Sequence, residues 1–189
     1  MGNMEHKKVS KFLKIIGYVF MSLSIIEIYF VIALHYISFN IDGSQIPLSE
    51  LIFSSNYFSL TGSVLWIFLI ISMGCYAIVG FVMFETSKNN KIKNELLAKL
   101  MVVFGMVILL GAFVKMDYLV LLGKTDISRL SGDISFQSAL YDFDITPIFP
   151  AISWIYFIST TCCFMIAALI ITTLGIKWTL LIEKPENTK

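Results

Sequence analysis

Four apolar runs dominate this chain, and each is long enough to cross a lipid bilayer as a helix. They occupy 15–39, 64–84, 100–122 and 151–176. A helix needs about 20 residues to cross the hydrocarbon core. Backbone polar groups in lipid must be bonded within the segment, which selects helices. A transmembrane barrel would instead alternate in segments of about 10 residues, and these runs do not alternate. Composition agrees: 57% of the residues are hydrophobic and 14% charged, against roughly 25% charged in soluble domains. The sequence therefore predicts an all-α membrane protein, a single four-transmembrane-helix bundle over 1–189. Two modest extracellular loops, 40–63 and 123–150, and one inner loop, 85–99, join the spans. Lys7, Lys8, Lys11 and Lys14 ahead of the first run resemble a signal-peptide n-region. The run that follows is too long for one and lacks a small-residue cleavage site, so a retained span is expected.

Lysine and arginine favour cytoplasmic flanks. Lys7, Lys8, Lys11 and Lys14 precede the first span. Lys88, Lys91, Lys93 and Lys99 lie between the second and third, and Lys177, Lys184 and Lys189 follow the fourth. The other two loops hold only Lys124 and Arg129. Both termini are expected in the cytoplasm, with the plasma membrane as the location. Tyr36, Tyr57, Trp66, Tyr118, Trp154 and Tyr156 fall near the outer ends of the spans, Tyr18 and Trp178 near the inner ends, as amphipathic rings do at an interface.

The outer loops carry turn signals. The first has Asp42-Gly43 and Pro47, then "PLSELIF", which reads as a short helix on the interface. The second carries Asp126, Asp133, Asp142 and Asp144 and ends at Pro147 and Pro150, where a helix can start. Its "LYDFDI" alternates apolar and acidic residues, as a short strand does. The loops form either one joint cap or two separate surface segments.

Chemistry-bearing residues are sparse. Cys75, Cys162 and Cys163 all lie within spans, so the loops have no disulfide staple; small, buried, inert cysteine is the expectation. His6 is in the tail and His35 near the outer end of the first span, where it can hydrogen-bond. A haem would want axial histidines deeper in the helices. No nucleophile elbow, P-loop, dinucleotide fingerprint or zincin helix occurs. No catalytic residue, cofactor or metal site is expected, and the net charge of +1 suggests no nucleic-acid partner. Four spans with both termini inside are also the layout of tetraspanins and claudins. Their motifs are missing: Cys162-Cys163 lies in a span and is followed by Phe164, and the first outer loop lacks cysteine. No site is carried over from either family.

Small residues mark close contacts between membrane helices. Ala98, Gly105 and Ala112 repeat every seven residues, and Met101, Ile108 and Lys115 repeat on the same register, an a/d-type seam. Ser159, Cys163 and Ala167 form a small-xxx-small stripe in the fourth span. Gly74, Ala77 and Gly80 are the counterparts in the second.

Three ionisable residues interrupt the spans: Glu27, Lys115 and Asp117. At 3.6 residues per turn, Lys115 and Asp117 are about 200° apart around the helix, too far to pair. Lys115 falls on the seam. Two arrangements are open for it: an ion pair with Glu27, assisted by Ser24, or a lysine snorkelling outward beside a neutral Glu27. Asp117 faces away. Lys124, Arg129, a neighbouring chain or water could each meet it. Intramembrane charges are functional candidates by default, here as a structural clamp or an ion path. The leading expectation is a non-catalytic membrane protein acting through lateral or extracellular contacts, with the lipid bilayer and either other membrane subunits or further copies as partners. The second is a small-solute, proton or cation conductor using Glu27, Lys115 and Asp117. The third is an intramembrane redox or lipid enzyme.

Overall fold

A computed structural model describes residues 2–89 and 93–183, with side chains over 7–89 and 93–182. Lys91, Lys184 and Lys189, part of the basic set used for orientation, lie outside the described residues. In chain order the elements are α1 (Gly2–His35), β1 (Ser38–Ile41), β2 (Ser44–Pro47), α2 (Leu48–Phe53), α3 (Leu60–Lys88), α4 (Asn94–Gly123), β3 (Asp126–Ile127), β4 (Ile134–Ser135), α5 (Phe136–Tyr141) and α6 (Ile148–Glu183). Helix accounts for 78% of the chain, and α1, α3, α4 and α6 are each long and apolar enough to cross a membrane.

Burial along these four helices follows one rule. In α1 the buried run is Leu13, Gly17, Phe20, Ser24, Glu27, Val31 and Leu34. In α3 it is Gly62, Trp66, Leu69, Met73, Tyr76, Gly80, Met83 and Ser87. In α4 it is Ala98, Met101, Gly105, Ile108, Ala112, Lys115, Leu119 and Leu122. In α6 it is Trp154, Phe157, Thr161, Phe164, Ala168, Ile171, Gly175 and Trp178. Steps of three and four alternate, the 3.5-residue period of left-handed helix packing. The remaining faces are apolar too: Ile78, Leu110 and Ile166 are each at least 60% exposed. Water would not tolerate so much exposed hydrocarbon, whereas lipid does.

The contacts divide into two units. The first comprises Met1–Ser24, Cys75–Phe113 and Cys162–Lys189. Glycine sets its helix spacing. A Cβ on Gly17 would stand 2.7 Å from the Gly80 carbonyl oxygen, and one on Gly175 would stand 2.9 Å from the Val102 nitrogen. Phe20 stacks on Phe164 at 4.5 Å, and Tyr76 closes the trio 4.6 Å from Phe164. Ser10 Oγ donates to the Ser87 carbonyl at 2.5 Å, which ties α1 to α3.

The second unit comprises Ile25–Gly74 and Val114–Thr161. Here the two long loops interlock. Asp42 and Gly43 both have positive φ, 52° and 82°, the two-residue turn that matches the twist of a hairpin. It pairs β1 with β2, Ile41 opposite Ser44. Asp42 Oδ2 then accepts from the Leu130 N–H at 2.8 Å, Ser128 N donates to the Tyr57 carbonyl at 2.9 Å, and Asn40 N donates to the Ile145 carbonyl at 2.7 Å. Beneath these bonds Leu48, Leu51 and Ile52 of α2 and Phe136, Ala139 and Leu140 of α5 are buried in one apolar cluster with Trp66, Trp154 and Phe157. The loops thus form a single cap.

Several expectations change. The first helix stops at His35, not at 39, because residues 38–41 exchange helix bonds for strand pairing. The 85–99 connection is mostly helix, with α3 running to Lys88 and α4 starting at Asn94; exposed Glu85–Lys88 and Glu95–Lys99 pairs support those turns. "LYDFDI" is the end of α5 followed by a turn, in which Ile145 N and Thr146 N both donate to the Asp142 carbonyl. Trp66 and Trp154 are buried at 1% and 2% exposure, core residues and not an interfacial belt.

Candidate functional site

The charged centre lies in the second unit. Glu27 occupies a seam position of α1 and Lys115 one of α4. Both side chains are fully buried, and Lys115 Nζ donates to Glu27 Oε1. The alternative of a lysine snorkelling outward is therefore not adopted. Desolvating two charges costs several kcal/mol each, and only close pairing with further hydrogen bonds offsets that. A third helix assists: Thr160 Oγ1 of α6 lies within hydrogen-bond reach of Glu27 Oε1, and of the Tyr156 and Phe157 carbonyls of its own helix. One hydroxyl proton serves one acceptor at a time, so Thr160 can leave its own backbone for the carboxylate. Glu27 Oε2 is buried without a hydrogen-bond partner among the described residues.

Ser24 takes no part, because its hydroxyl donates to the Phe20 carbonyl at 2.8 Å. Thr160 had no place in the sequence expectation, which put the polar contact face of this helix at Ser159, Cys163 and Ala167. That stripe points outward: Ser159 and Cys163 are exposed and Ala167 is only half-buried. Large residues outbid small ones here, and Phe157, Phe164 and Ile171 take the buried positions. By contrast Ala98, Gly105 and Ala112 lie on the buried face of α4 with Lys115. In α3 only Gly80 of the three small residues is buried, and nothing lies within 4 Å of a Cβ on Gly74. All three cysteines are exposed. The thiol is apolar enough to face lipid, so its burial type in soluble proteins does not transfer. Among the described residues no three His, Cys, Asp or Glu side chains gather to hold a metal ion.

Asp117 is exposed, on the outer flank of α4. Neither Lys124 nor Arg129 forms an ion pair with it. Its helical neighbours Leu110, Phe113, Val114, Val120 and Leu121 are exposed as well, so a lone carboxylate stands on an apolar face. It is about 9 Å from the end of α4 at 1.5 Å per residue.

His35 is a hydrogen-bond relay. Its Nδ1 meets the Val31 carbonyl at 2.8 Å, and its Nε2 accepts from the Trp66 indole at 3.1 Å. These partners select the Nδ1–H tautomer. Trp66→Phe removes the donor and some ring volume, and should lower stability by about 1–2 kcal/mol, read as an earlier unfolding midpoint in SDS-titrated mixed micelles. A loss below about 0.5 kcal/mol would mean the indole bond contributes nothing.

A further cavity of about 530 Å³ opens beside the cap, lined by Tyr57, Ser59, Thr61, Lys124, Asp126 and Ser128 among others. It mixes hydroxyls with both signs of charge. The chain matches no protein-family model, no curated protein and no solved structure.

Proposed function

We propose that this chain is a non-catalytic integral membrane protein that works through lateral or extracellular contacts, as an accessory subunit of a larger membrane assembly. Both termini lie in the cytoplasm and the interlocked cap faces outward, in keeping with the lysine distribution. The observation that carries the reading is the contrast between the charges. Glu27 and Lys115 are sealed at 0% exposure, as a clamp is and as the groups of an open ion path are not. Asp117 stands exposed on an apolar flank, where a cationic side chain of a neighbouring membrane helix would meet it.

The test is a photo-crosslinking residue at Val114 or Val120 in native membranes, beside a flux assay. A heavier adduct that disappears with Asp117→Leu is the expected result, with proton and cation flux in proteoliposomes at the empty-vesicle level. Flux above that level, lost in Glu27→Gln, would replace this reading with the conductor. No adduct at either position would remove its main support.

A further inference from the structure

The first unit carries a groove that none of this uses. Its volume is about 450 Å³, and Phe12, Leu174, Trp178 and Leu181 provide most of its apolar floor, with Lys8 and Lys177 on its edge. The two lysines come from α1 and α6, are both exposed, and form no ion pair among the described residues. Among the described residues, no acidic side chain lines the groove. We propose that it binds an anionic phospholipid, the phosphodiester between Lys8 and Lys177 and the acyl chains along the floor.

The chemistry narrows the occupant. A free anion would satisfy the lysines and leave the floor bare. A neutral lipid would fill the floor and leave two cations without a counter-charge. An anionic amphiphile meets both. The position also fits, since Lys8 belongs to the basic stretch that leads into the apolar run of α1 and Lys177 directly follows that of α6, on the flanks where headgroups lie. Basic residues at that level each add about fivefold to anionic-lipid affinity. The site stands whether or not cross-linking finds a protein neighbour.

The delipidated protein in neutral detergent is titrated with phosphatidylglycerol or phosphatidylcholine of identical chains, and bound lipid is counted by native mass spectrometry. Phosphatidylglycerol should bind at least about tenfold more tightly. The K8Q/K177Q double variant should lose about 20–30-fold of that affinity. K7Q/K11Q makes the same change of charge outside the groove and should lose under about threefold. Equal binding of the two lipids would overturn the proposal. So would equal losses in the two double variants, which would mark a diffuse surface potential, or displacement of the lipid by millimolar inorganic phosphate.

Discussion

Glu27→Ala should destabilise the protein by about 3–5 kcal/mol, because it leaves the buried Lys115 ammonium without its counter-charge. Lys115→Ala should cost a similar amount by stranding the carboxylate. The size comes from the desolvation already incurred, and not from any large net value of the ion pair. Hence the two-residue replacement Glu27→Leu with Lys115→Met, which removes both charges and keeps the volume, should fold with stability near the native level or above it. The exchange Glu27→Lys with Lys115→Glu should recover much of the single-variant loss. Unfolding in SDS-titrated mixed micelles reads all four proteins on one scale. A single-variant loss below about 1 kcal/mol would mean that the stranded charge finds water, and the clamp would lose its basis.

Gly17→Leu should cost about 3 kcal/mol or more, at the upper end for overpacking. The atoms a side chain would strike are the Gly80 carbonyl oxygen and the Phe84 nitrogen, at 2.7 and 2.8 Å from a Cβ. Both are backbone and cannot rotate aside, so α1 and α3 would have to separate. Gly17→Ala should already cost about 1–3 kcal/mol. The matched control is Gly74→Ala, where a Cβ meets nothing within 4 Å; helix propensity then predicts unchanged stability or a gain of up to about 1 kcal/mol. Similar losses at Gly17 and Gly74 would show that the close approach of α1 and α3 does not limit stability.

The parts that could be read in advance are those set by local chemistry. Span length follows from hydrocarbon thickness, and the face of α4 follows from Ala98, Gly105, Ala112 and Lys115 because small residues and a charge there share one seven-residue register. In α6 the same reasoning chose the wrong face. Ser159, Cys163 and Ala167 satisfy four-residue spacing, yet the 3.5-residue run from Trp154 to Trp178 carries the bulk that fills the contact. Without water as the opposing solvent, hydropathy does not separate buried from exposed faces, and only shape complementarity does. The same degeneracy hid the exposed cysteines and the burial of Trp66 and Trp154. Thr160 lay beyond reach for another reason. Its hydroxyl is useful only because folding brings Glu27 to it from 133 residues away. The cap is similar: the Asp42-Gly43 turn was visible locally, but its bond to Leu130 spans 88 residues.

The spacing of the ion pair along the chain has a consequence for biosynthesis. Glu27 and Lys115 are also separated by 88 residues. At about 5–20 residues per second of synthesis, the acidic partner emerges some 4–18 s before the basic one. During that interval the first helix has to hold a carboxyl group that nothing yet neutralises. Its apolar window, with a mean hydropathy of 2.1, has to carry that group into the bilayer unaided. The arrival of α4 is therefore the step at which the Glu27 carboxyl first meets its counter-charge, and Lys115 acts in time as well as in space.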